Sequence, residues 1–188
     1  MHPVTLRSDR LTLSPPGVDD IDALYEACQD PEIPRYTTVP SPYTREHAAV
    51  FVGTVAEQWS AGTHLTWSIR REGRLVGSVG LYRLDGLGAA ELGYWIAASE
   101  RGNGLLREAA AAVVDWGFDP AGLALARIEW RAVVGNVASA RAARALGFRF
   151  EGTLRAAIRN AAGRRSDGWI AGLLADDERT PADWPVLS

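Results

Sequence analysis

The chain contains no lysine: all 20 of its basic residues are arginine. A nucleotide-triphosphate loop closing on Gly-Lys-Ser/Thr is therefore excluded. There is one cysteine, Cys28, in 188 residues, which rules out an internal disulfide framework and a multi-cysteine metal site. The three histidines, His2, His47 and His64, show no ligand spacing and no carboxylate pairs join them, so no metal is expected. No stretch approaches 18 apolar residues, and no charged start leads into an apolar run. Neither a membrane span nor a signal peptide is indicated, and a soluble cytoplasmic protein is expected, with no membrane partner. The net charge of −3 argues against nucleic acid as the main partner, because a phosphate-neutralising surface makes a domain basic. Abundant Ala, Arg and Gly beside the missing lysine read as the codon bias of a GC-rich genome.

What is present suffices for one core. A hydrophobic fraction of 47% over this length calls for a single domain, residues 1–188, with a body at about 8–175 and a loosely packed acidic tail from 176. A first strand is expected at 9–14, and Asp19 or Asp20 caps a helix reaching about Gln29, where Pro31 and Pro34 end it. Its apolar stripe, Ile21, Leu24, Tyr25 and Cys28, makes Cys28 a buried structural thiol. Thr44 is a plausible N-cap for a helix to about Trp59, with Phe51, Val52, Val55 and Trp59 facing inward. Strands at 65–71 and 74–84 meet at Glu72-Gly73, a two-residue hairpin signal. A strand at 89–97, a helix at 105–116, a strand at 126–133 and a helix at 137–146 follow. Strands at 149–159 and 166–174, joined by Asn160-Ala-Ala-Gly163, close the chain as a second hairpin. The class is mixed α/β.

The most informative segment is Glu91-Leu-Gly-Tyr-Trp95 followed by Arg101-Gly-Asn-Gly104, a strand feeding a glycine turn that opens the Ala-rich helix. Glycine lets consecutive backbone N–H groups converge, and the positive end of the helix adds to their pull on an anion. A pyrophosphate fits such a turn. A dinucleotide fingerprint does not, since Gly102-x-Gly104-x-x-Arg107 lacks the third glycine.

The segment Arg101-Gly-Asn-Gly104-Leu-Leu106 resembles the acyl-CoA signature of the GNAT superfamily of N-acyltransferases. Glu91-Leu-Gly-Tyr-Trp95, Asn136-Val-Ala-Ser139, Leu146-Gly-Phe148 and Glu151-Gly152-Thr-Leu154 are similar to blocks of its branch containing the ribosomal-protein N-terminal acetyltransferases RimJ and RimL. Arg10-Leu-Thr-Leu13 resembles the N-terminus of that branch. The resemblance runs over roughly residues 8–175. It implies a GNAT-like α+β fold, a central mixed and mostly antiparallel sheet of about six or seven strands flanked by about four helices. The fourth and fifth strands, at 89–97 and 126–133, would splay around acetyl-CoA. It further implies an amine acceptor, a protein N-terminus or a small molecule, and a homodimer, since relatives often dimerise. Two positions depart from the family: Leu106 stands where a small residue is usual, and Asp167-Gly168-Trp-Ile-Ala171 lacks the usual His and Tyr.

Moving an acetyl group from a thioester to an amine needs a proton acceptor for the ammonium, a donor to the oxyanion and a proton for the thiolate. The resemblance assigns Glu91 to the first need and Ser139 to the last, with a backbone amide near Gly93–Ile96 for the oxyanion. On spacing alone Glu91 is a strand-end charge, and Asn136 with Ser139 is an ordinary helix start. Tyr94, Trp95, Ile96, Arg101, Gly102, Asn103, Gly104, Leu105 and Asn136 are the expected cofactor-binding residues, with Arg107 a second cationic candidate. Arg155, Arg159, Arg164 and Arg165 concentrate charge on the last hairpin, where they either meet an acidic acceptor or protect an edge strand. A non-catalytic acyl-CoA-binding module on the same fold is the alternative.

Overall fold

The computed structural model describes residues 1–187. Eight strands form one sheet: β1 (Leu6–Arg7), β2 (Thr12–Ser14), β3 (Leu65–Arg71), β4 (Arg74–Tyr82), β5 (Ala89–Ile96), β6 (Arg127–Val133), β7 (Arg149–Arg159) and β8 (Arg165–Leu174). Five helices accompany them: α1 (Ile21–Ala27), α2 (Glu32–Tyr36), α3 (Arg45–Ala61), α4 (Leu105–Phe118) and α5 (Val137–Ala145). The sheet order is β1-β2-β3-β4-β5-β6-β8-β7, antiparallel throughout except where β5 and β6 run parallel. The expected GNAT-like fold is present.

Two elements exceed the expected count. The two-residue edge strand β1 is too short to leave a period in the sequence. Helix α2 forms across the prolines that were read as breakers, because Pro31 stands before its first residue and Pro34 lies in its first turn. There the missing N–H has no intrahelical partner to lose.

Alternation along the strands divides the sheet into two faces. One face carries Leu65, Trp67, Val79, Leu81, Leu92 and Trp130, all fully buried, and packs against Ala109, Ala110, Val113 and Val114 of α4. The opposite face is polar. There Asp20, 3% exposed, takes both guanidinium branches of Arg70 at 2.7 and 2.6 Å and accepts from Ser68 Oγ and the Gly17 N–H. The residue read as a cap is thus a buried ionic anchor that fastens the start of α1 to β3. Helices α1 and α3 close over this side through Leu24, Cys28, Ala48 and Val52, with Trp95 packed alongside. Burial pushes the Cys28 thiol up to about 12, in keeping with a structural role.

The central pair of strands diverges. β5 and β6 are bonded only from Ala89–Leu92 to Arg127–Trp130, after which Gly93–Ile96 have no β6 partner. β4 and β5 pair without a register shift from Gly77–Tyr82 to Glu91–Ile96, so the opening is a splay and not a bulge.

Candidate functional site

Beneath that splay lies a cavity of about 1130 Å³ running from the polar face to the start of α4. Glu91, Tyr94, Trp95, Ile96, Arg101, Gly102, Gly104, Leu105, Asn136 and Ser139 border it. Asn103 does not: its side chain donates to the Glu100 carbonyl and its own carbonyl accepts from Arg10 Nη1. Leu105 is 1% exposed with its side chain in the core.

The glycine turn is shaped by backbone chirality. Gly102 and Gly104 have φ of 79° and 74°, values that side-chain-bearing residues rarely adopt. Gly104 stands immediately before α4, whose first N–H groups open toward the cavity. The turn is tied down by Arg10, which reaches Asn103 O at 3.1 Å and pairs with Glu108 at 2.6 Å. Arg10 belongs to the N-terminal block read from the sequence, yet nothing local marks it as the turn's support, since the contact spans 93 residues. Arg101 turns aside, bonding Asp30 and the Ile96 carbonyl. Arg107 borders the cavity and forms no ion pair among the described residues, which makes it the freer cation at this end. Leu106 packs partly against the core and borders the cavity as well.

The freed edge of β5 supplies backbone donors. The Ala97 N–H is spent on Val76 O. Alternation then turns the peptide groups of Tyr94 and Ile96 away from β4, into the gap. The same alternation puts Glu91 and Tyr94, three residues apart, on opposite faces of the sheet. The splay is where those faces meet.

On the core side, Trp130 Nε1 donates to Ser139 Oγ at 3.0 Å, Ser139 Oγ donates to the Tyr94 hydroxyl at 3.2 Å, and Tyr94 donates to the Ser139 carbonyl at 3.2 Å. Burial pushes the Tyr94 phenol up to about 12. The Ser139 N–H donates to Asn136 Oδ1, so Asn136 caps α5 while bordering the cavity. On the polar side, Glu91 contacts Arg83 at 2.9 Å and Arg131 at 3.8 Å. Burial raises its proton affinity more than the two arginines lower it.

The floor beside Glu91 is made of Gly80 and Gly93, over which the Tyr82 ring lies; a Cβ on Gly93 would come within 2.7 Å of it. Thr66, Ser78, Tyr82 and His64 continue this wall. Thr66 Oγ1 is buried and makes no hydrogen bond of acceptable geometry, although the Tyr82 hydroxyl approaches it. Of these four, His64 drew notice in the sequence only as a histidine without ligand spacing and Tyr82 only as one of several strand aromatics, and Thr66 and Ser78 carried no signal. Of the two departures noted there, Ala171 is fully buried and away from the cavity, while Gly168 and Trp169 border it. Arg159 and Arg165 of the last hairpin stand at its rim. Among the described residues no group of three or more His, Cys, Asp or Glu is placed to hold a metal ion, and no helix is long and apolar enough to cross a membrane.

Comparison with known proteins agrees with this geometry. The family model described as an acetyltransferase (GNAT) domain matches residues 10–149. The chain is 30% identical over 174 residues to the uncharacterized N-acetyltransferase p20 of Bacillus licheniformis, covering 90% of this chain and 96% of that protein. Mycobacterium smegmatis RimJ, solved in complex with a CoA disulfide, superposes with a TM-score of 0.84 at 22% identity, over 94% of this chain and 91% of that one. RimL, the ribosomal L7/L12 alpha-N-protein acetyltransferase solved with coenzyme A, gives 0.83 at 20% identity, over 93% and 100%.

Proposed function

Since the chain belongs to the GNAT acetyltransferase family and is an acyltransferase, we propose that it acetylates a primary amine, using acetyl-CoA as cosubstrate and transferring the group directly. The observation that carries this reading is the divergence of β5 and β6 below the glycine turn, with Glu91 on one side and Ser139 on the other. The turn and the first N–H groups of α4, with Arg107, bind the pyrophosphate. The unpaired β5 edge bonds the extended amide-bearing arm of the cosubstrate. This puts the thioester in the gap, open to an amine from the polar face.

Glu91 takes one proton from the ammonium, which frees the nitrogen lone pair. The C–N bond forms, and the peptide N–H of Tyr94 or Ile96 meets the developing oxyanion. When the C–S bond breaks, the Ser139 hydroxyl, which Trp130 and Tyr94 hold in place, passes its proton to the thiolate and takes one of the two protons on the attacking nitrogen, leaving the amide its single N–H. A protein N-terminus is the acceptor best supported by the likeness to RimJ and RimL.

Calorimetric titration with acetyl-CoA tests the reading. The wild type is expected to bind, and Gly104→Asp, which puts bulk, negative charge and an unfavourable φ at the turn, is expected to lose binding while remaining folded by circular dichroism. No binding by the wild type would overturn it.

A further inference from the structure

Each acetyl transfer to an ammonium releases one proton, and that proton must leave the pocket. Glu91 receives it between two arginines, and a guanidinium cannot relay it because it does not deprotonate in proteins. The Glu91 side chain is 22% exposed at the cavity, so its proton leaves through that opening, and a neutral imidazole placed there would carry it onward faster than water alone. Two histidines border the cavity, and their hydrogen bonds separate them. His47 Nδ1 accepts from the Thr44 N–H at 3.2 Å as part of the α3 cap, so its lone pair is used. His64 is the reverse case: its Nδ1 lies 2.6 Å from the Thr63 carbonyl. A carbonyl only accepts, so Nδ1 carries the hydrogen and the neutral ring keeps its lone pair on Nε2.

The His64 ring meets Tyr82 edge-on, with centroids 5.7 Å apart. Tyr82 is the register partner of Glu91. Imidazole and carboxylate therefore flank one phenol ring and border the same cavity. Tyr82 from β4, Arg83 just after it, Glu91 from β5 and Glu129 with Arg131 from β6 are the ionisable groups on this side. Of the α3 residues that border the cavity only His47 carries an ionisable side chain. His64 is half-buried just before β3, with one edge on the cavity and one toward solvent.

We propose that His64 takes the amine proton from Glu91 and delivers it to solvent in each turnover. This rests on the acetyl-transfer reading above. An N–H bond of the ammonium breaks as the Glu91 O–H forms; that O–H breaks as water in the cavity, passing around the Tyr82 ring, carries the proton to Nε2, and the imidazolium then gives it to solvent. Of the two protons on nitrogen after C–N bond formation, one goes to the thiolate and one stays as the amide N–H, so one proton is released for each amide made.

Two measurements on the full chain test this. Long-range ¹⁵N NMR of the three imidazoles needs no acceptor: neutral His64 is expected as the Nδ1–H tautomer, and Glu91→Gln is expected to move the ¹⁵N resonances of its ring by removing a nearby carboxylate. The Nε2–H tautomer would overturn the proposal. The second is turnover of a mixture of tetrapeptide amides with varied first residues. His64→Gln is expected to lose on the order of 10²-fold in kcat, with the KM for acetyl-CoA unchanged and the rate restored by added imidazole. A slow Glu91→Gln beside an unimpaired His64→Gln would sink the role of His64 alone. A His64→Gln loss that imidazole does not restore would make the residue structural and overturn it too. No product from the wild type would count against the acetyl-transfer reading, and the proposal falls with it.

Discussion

Replacing Ser139 by alanine separates the structural duty of that residue from its chemical one. The hydroxyl accepts from Trp130 Nε1 at 3.0 Å, and Trp130 is 1% exposed, so Ser139→Ala orphans a buried donor. An unsatisfied buried N–H costs about 1–3 kcal/mol. Tyr94 loses the hydrogen bond from Ser139 Oγ but keeps the Ser139 backbone carbonyl as acceptor, so it adds little to that cost. For a domain of this length each kcal/mol moves the melting temperature by about 2–4 °C, giving a fall of roughly 2–12 °C. The variant is therefore folded at 25 °C if the parent has ordinary stability, about 5–15 kcal/mol. Its kcat is nevertheless expected to drop on the order of 10²-fold, equivalent to about 2.7 kcal/mol of transition-state stabilisation. Thermal melts and release of free thiol from acetyl-CoA read the two effects separately. Tyr94→Phe, which leaves the Trp130–Ser139 bond intact, is expected to lower kcat with a smaller stability loss, and the two substitutions should combine non-additively. If folded Ser139→Ala and Tyr94→Phe both keep kcat within about threefold of the parent, the assignment of this network to the leaving thiolate is wrong.

Two further outcomes follow from the polar face. Asp20→Asn leaves the Arg70 guanidinium, 23% exposed, without its counter-charge and is expected to cost about 3–5 kcal/mol in urea denaturation. A loss below about 1 kcal/mol would show that the pair is not the anchor of α1. Glu91 holds its proton more tightly folded than unfolded, because burial outweighs Arg83 and Arg131. Its contribution is therefore full below the ordinary carboxylate range and is lost as pH rises through the folded value. Measured against Glu91→Gln, the wild type should lose relative stability as pH rises above the ordinary carboxylate range, and a relative gain would refute that sign.

Local chemistry determined much of this protein from sequence alone. The positive φ that Gly102 and Gly104 adopt, the Thr44 and Asn136 caps, and the Glu72-Gly73 turn each depend on a few adjacent residues, so their marks are local and legible. The same holds for the order of strands and helices after residue 44. The α2 helix was obscured because a proline reads as a breaker until its position within the first turn is known. What tertiary structure decided are the pairings across long separations. Arg101, at the cavity's border, spent its charge on Asp30, Arg10 came to hold the glycine turn, and Asp20 found Arg70 fifty residues away. His64 and Tyr82 entered the site only because the β3–β4–β5 register laid them beside Glu91. A charge or a lone pair has no periodicity of its own; its role is set by whatever the folded chain brings within a few ångströms of it, and that is a property of the sheet and not of the segment.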